Sequence, residues 1–110
     1  MKGREIIRQY KAGKRNFSKA KLRKADLEGA DLRKINLSLA YLGQANLRGA
    51  NLAGANLKGC NLIEANLHDA NLTKANLRWA NLYEAKVTSA QLAQARSLKG
   101  AILPEGGRHE

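Results

Sequence analysis

The sequence predicts an all-β fold, a coil of short extended sides, and three observations predict it. A five-residue period runs without a phase slip from residue 15 to residue 94. Within each period a small and a large apolar residue stand two positions apart. The residues between successive pairs are those that favour turns.

Ahead of the repeat, residues 2–12 read as a short amphipathic helix with Ile6, Ile7 and Tyr10 on one side. Gly13 stands where a helix C-cap is expected. This helix is expected to lie as a lid over Phe17 and the start of the coil, because an open β-coil leaves unpaired backbone groups at its end.

Residues 15–94 divide into sixteen consecutive units whose central residue is always apolar, from Phe17, Leu22 and Leu27 to Leu82, Val87 and Leu92. Two residues before it stands Ala in thirteen units, with Arg15, Ile35 and Cys60 as the others. Between the two stands Asn or Asp in twelve, as in Ala45-Asn46-Leu47. On an α-helix, residues five apart are rotated by roughly 140°, so these leucines would spiral over every face. In an extended chain, positions two apart point the same way, so each Ala faces inward with its Leu. The other residues turn the chain, and Gly29, Gly49, Gly54 and Gly59 suit such turns. The asparagines read as turn-makers that bond their own backbone, and Cys60 as a small buried apolar residue.

The unbroken A-N/D-L-x-x run resembles the pentapeptide-repeat family over about residues 15–94. That resemblance implies a right-handed quadrilateral β-helix, here of about four coils. The ending Leu98-Lys99-Gly100-Ala101-Ile102-Leu103-Pro104 is similar to cyanobacterial members of the family. Residues 95–104 are therefore expected to close the coil after a one-residue slip in register, and residues 105–110 to form a frayed tail. The whole chain, 1–110, reads as one domain.

The composition narrows the function. The net charge is +11, but residues 1–24 hold ten Lys and Arg against Glu5 alone, whereas 25–110 hold ten against eight acids. Basicity thus belongs to one end. The single cysteine forms no internal disulfide and suits a reducing compartment, and no apolar run is long enough for a transmembrane helix. A cytoplasmic protein with no membrane partner is the expectation.

Adding twenty to a position moves one coil along the same face, which turns the sequence into a surface map. Glu64 and Glu84 share a column, but the face is convex and open to water, without a pocket to raise either pKa for acid–base work. His68 and His109 have no metal-ligand spacing, and Ser18, Ser38, Ser89 and Ser97 lack a neighbouring base. No catalytic residue, cofactor or metal is expected. Two features remain. Lys14, Arg15, Lys19, Lys21, Arg23 and Lys24 form a basic patch on the first coil, suited to phosphates or another anionic surface. Leu39, Tyr41, Ile63, Trp79 and Tyr83 form an apolar patch around one corner, with a notch at Gly59 between Leu39 and Trp79. The resemblance brings in DNA-mimicking members that bind DNA gyrase through an acidic surface; the nearly neutral body and basic end here do not fit that activity. The reading is a non-catalytic interaction module or scaffold, monomer or homodimer, whose partner is another protein. Its alternative is weak binding of nucleic acid or another anionic surface through the basic end.

Overall fold

The computed structural model describes residues 1–110. Helix α1 spans Gly3–Lys11 and helix α2 spans Ser89–Ala93. The residues between them form short sides separated by turns, coiled into a body whose extents, helices included, are 37 × 23 × 23 Å.

Successive coils pair in parallel, twenty residues apart: Asn16 with Asn36, Asn36 with Asn56, then Lys21 with Tyr41 and Tyr41 with Asn61 on the next side. Three hydrogen bonds per side hold each coil to the next. Leu22 N donates to Tyr41 O at 2.8 Å, Lys24 N to Gly43 O at 2.9 Å, and Tyr41 N to Ala20 O at 2.9 Å. Within a coil, Ala25 N donates to Leu22 O at 3.0 Å and closes a turn. The residue before that Ala takes a positive φ, 61° at Lys24 and 67° at Gly59.

The Asn column fixes those turns. Asn56 Oδ1 accepts from Lys58 N at 3.0 Å, and all twelve Asn and Asp at this position make the equivalent bond to the residue two further on. Inside, the central Leu and preceding Ala residues form one cluster of 29 buried side chains, including Ile35 and Cys60 at Ala positions.

Helix α1 lies on the first coil. Ile6 is fully buried in the cluster, and Tyr10 Oη donates to Arg33 O at 2.7 Å. The Arg15 guanidinium stacks on the Tyr10 ring at 3.7 Å. A Cβ at Gly3 would run into the Asp26 carbonyl, so glycine is what lets the helix start rest on that strand.

The far end departs from the sequence reading twice. The expected sixteenth unit, centred on Leu92, is helix α2. Thr88 Oγ1 accepts from Gln91 N at 3.1 Å while Gln91 Oε1 accepts from Thr88 N at 2.9 Å, a reciprocal cap that starts a helix. Gln91 Nε2 also donates to Leu67 O and Ala70 O, at 2.7 and 3.0 Å. Leu92 stays buried, but Ala90 is exposed. The helix takes up one extra residue, and pairing resumes at an offset of twenty-one, Asn76 with Ser97 and Asn81 with Ile102. The tail, expected to fray, instead folds back antiparallel, Ile102 pairing with Arg108. His109 N donates to Ala101 O and Leu103 N to Gly107 O, each at 2.7 Å. This covers backbone groups that the last coil would otherwise leave unpaired.

Leu57 is fully buried and Lys58 beside it is exposed. Leu57→Ala should cost about 2–5 kcal/mol of unfolding free energy, and Lys58→Ala under about 0.5 kcal/mol. Denaturant titration of the two variants checks this, and equal losses would contradict the inward–outward assignment.

Candidate protein-contact surface

Two adjacent sides carry the exposed apolar residues. The first side is centred on Phe17, Leu37, Leu57, Leu77 and Leu98, and the second on Leu22, Leu42, Leu62, Leu82 and Leu103, the inter-coil hydrogen bonds fixing each succession. On the first side the turn column reads Lys19, Leu39, Gly59, Trp79, Gly100, every member at positive φ. Leu39 is 51% exposed and Trp79 52%. A non-glycine residue in this conformation costs about 1–2 kcal/mol, and neither side chain has a polar atom placed to bond its own backbone. The same column uses glycine at two levels.

Each large side chain leans over the next glycine. A Cβ on Gly59 would meet Leu39 Cδ2, and one on Gly100 would meet the Trp79 ring. The guanidinium of Arg108 stands 5.9 Å from the Trp79 ring centroid. The notch expected between Leu39 and Trp79 is a groove of ≈ 480 Å³, walled by both and floored at Gly59, with Lys58 and Asn56 at its edge.

The structure does not gather the five apolar residues into one groove. Tyr41 and Ile63 line a separate groove of ≈ 240 Å³ on the second side with Arg23 and Gln44. Ile63 is half-buried rather than exposed. Tyr83, 44% exposed, lies against Gly106 of the returning tail. The buried Ala40 at the corner keeps Leu39 and Tyr41 on different sides.

The basic set is divided as well. Arg15 is tied to α1, stacking on Tyr10 and donating to its carbonyl at 2.8 Å. The ammonium of Lys14 sits 4.8 Å from the Phe17 ring centroid. Lys19 belongs to the first side and Lys21, Arg23 and Lys24 to the second. Arg23 and Lys24 join Lys2 and Arg4 around a groove of ≈ 410 Å³ where the start of α1 meets the coil, with Asp26 also in its wall. The helix start contributes equally.

Of the reactive groups, Glu64 and Glu84 are exposed in one column, and His68 Nε2 lies 3.3 Å from Asp69 Oδ2 at the surface. Cys60 is enclosed, with Sγ donating to Leu37 O at 3.0 Å. Burial pushes its thiol from an ordinary value near 9.0 up to about 12, against a smaller opposing contribution from the Ala40 backbone.

The profile for pentapeptide repeats matches residues 16–38, 40–78 and 60–96, with eight copies. No curated protein matches the sequence. Among solved structures, a pentapeptide repeat protein from Nostoc Pcc 7120 is 41% identical at a TM-score of 0.47, covering 78% of this chain and 75% of its own. HetL, from Nostoc sp. strain PCC 7120 and involved in heterocyst differentiation regulation, is also 41% identical at a TM-score of 0.47, over 86% of this chain but 40% of its own. Rfr23 from Cyanothece 51142 is 35% identical at a TM-score of 0.44, over 86% of this chain and 64% of its own. Proteins with these repeats form right-handed quadrilateral β-helices, and parallel pairing twenty residues apart fits a coil of four five-residue sides.

Cys60 generates a pH prediction. Its folded pKa is raised, so the fold holds the proton after the unfolded chain has released it. Stability is unaffected well below pH 9.0 and falls as pH rises from there toward about 12, by up to about 1.4 kcal/mol per unit. Comparing denaturant midpoints of the parent and Cys60→Ala from pH 8 to 11 should show the parent losing more. Parallel curves would contradict the burial assignment.

Proposed function

This chain belongs to the pentapeptide-repeat family, and from that premise we propose that it is a non-catalytic interaction module, acting in the cytoplasm, whose first side binds another protein through Leu39 and Trp79. The observation that carries the reading is where those two residues stand. Both are large, apolar and half exposed. The other non-glycine residues at this turn position are all polar, namely Lys19, Lys24, Lys34, Gln44, Glu64, Asp69, Lys74 and Glu84, so Leu39 and Trp79 are the two places where it puts a large apolar group into water. The fold itself gains little from either, since glycine serves the same turn at Gly59 and Gly100. Between the two lies a groove wide enough for an apolar side chain, and a half-exposed indole is a favoured interface anchor.

A second reading draws on the groove lined by Lys2, Arg4, Arg23 and Lys24. These cations would hold phosphate groups of nucleic acid or another anionic surface, weakly and without regard to sequence.

Leu39→Gly and Trp79→Gly separate use from folding. Each should change unfolding free energy by less than about 1 kcal/mol, because relief of turn strain offsets lost contact. Each should weaken capture of a protein partner from the source cells at least about tenfold, at low and high salt alike. Unchanged capture by both variants would overturn the contact reading. Capture that vanishes at high salt and ignores these variants would favour the basic groove.

A further inference from the structure

We propose that the occupant of this contact surface is a second copy of the same chain, first side against second side, and that four copies close into a ring. The inference rests on the contact reading of Leu39 and Trp79 and adds the identity of the partner.

The two sides carry matching columns. On the first side, the outward residue following the central one runs Lys58, Arg78, Lys99, as the bonds Gly59 N to Arg78 O (2.8 Å) and Trp79 N to Lys99 O (2.9 Å) establish. On the second side the turn column runs Glu64, Glu84, Glu105, fixed by Glu64 N to Tyr83 O and Glu84 N to Pro104 O, both 2.9 Å. All six charged residues are exposed. None is paired within its own chain, where the ion pairs are Arg33 with Asp31 and His68 with Asp69. Next to the cations stands the column Leu39, Gly59, Trp79, Gly100, and next to the acids stands Gly43, Ile63, Tyr83, Pro104.

Two copies with parallel coil axes, laid first side to second side, run their facing strands in opposite directions. The column order on one surface is thereby reversed on the other, so cation-then-apolar meets acid-then-apolar. Level by level, Lys58 faces Glu64, Arg78 faces Glu84, and Lys99 faces Glu105. Leu39, which leans over Gly59, comes opposite Gly43 and Ile63, and the Trp79 ring, which leans over Gly100, comes opposite Tyr83 and Pro104. The levels stay in step because both surfaces share one coil spacing, about 4.8 Å. Antiparallel axes would keep the column order and set cations against apolar residues. The apolar contacts supply attraction; the ion pairs, each weak at a surface, choose register and direction. The first coil opposes the contact, since Lys19 would face Arg23.

The number of copies follows from the cross-section. The two surfaces are neighbouring sides of a quadrilateral, so each copy is turned about a quarter turn relative to the next. A head-to-tail contact with that rotation closes at four.

Light scattering on the full chain at low salt and rising concentration tests this. The expected particle holds four 12.0 kDa chains. Lys58→Glu with Arg78→Glu, and separately Glu64→Lys with Glu84→Arg, should each give monomers that retain the parent's circular dichroism. An equimolar mixture of the two should restore the tetramer, because alternating copies meet with opposite charge at every contact. Arg23→Gln should lower the concentration needed for assembly. A parent that is monomeric at every concentration, or variants that assemble alone, would overturn the proposal, as would a mixture that stays dissociated. If the parent is monomeric while Trp79→Gly still loses capture of another protein, the self-contact falls and the contact reading stands.

Discussion

Every feature of this molecule depends on the hydrogen bonds between coils, which lock residues twenty apart into columns. Leu22 N can reach Tyr41 O, and Tyr41 N can reach Ala20 O, only if each coil has the same length. A single insertion would break three bonds on every later side unless something absorbs it. Helix α2 is where the chain absorbs one, and pairing resumes a residue later, Asn76 with Ser97. Stability in such an array is a sum of neighbouring contacts, so both ends need cover. The N-terminal end has α1, with Ile6 set into the core. The C-terminal end has a returning strand through Arg108.

The same columns make the surface a set of straight stripes. A side chain that leaves the turn upright has a neighbour of the same kind one coil away, unless the sequence alternates large and small. It does so at Leu39, Gly59, Trp79 and Gly100, and each large group lies over the following glycine. The charges are striped too, with cations in one column and carboxylates in another, unpaired within the chain. Left to folding alone, stacked like charges would be a cost without return. In the proposed ring, opposite stripes on neighbouring sides would turn that cost into a means of choosing a partner.

Much of this was legible in the sequence because the period carries it. The inward pairs, the buried Cys60 and the turn bonds of the asparagines all follow from position within five residues. The end of the repeat was not, because Ala90-Gln91-Leu92 still wears the pattern of a unit. The signal lay just upstream: Thr88 with Gln91 is a capping box, and its reciprocal bonds with the helix overcame the repeat there. The returning tail escaped because Gly106 and Gly107 read as looseness, whereas Gly106 closes a turn, its N donating to Leu103 O, and Gly107 O already accepts from Leu103 N on the way back to Ala101. The apolar patch was legible by column but not by depth. Ile63 sinks half out of water, and the corner at Ala40 leaves Leu39 and Trp79 in one groove, Tyr41 and Ile63 in another, and Tyr83 in neither, against Gly106.

The face bearing Trp79 is proposed as a contact surface, and the chain's single tryptophan reports on it directly. Intrinsic fluorescence with acrylamide quenching, followed as protein concentration rises, measures how wet that indole is. On contact the emission maximum should move to shorter wavelength and the quenching constant should fall, in step with the particle's mass. Emission and quenching that stay those of a half-exposed indole at every concentration, in a chain that also binds no other protein through this face, would contradict it.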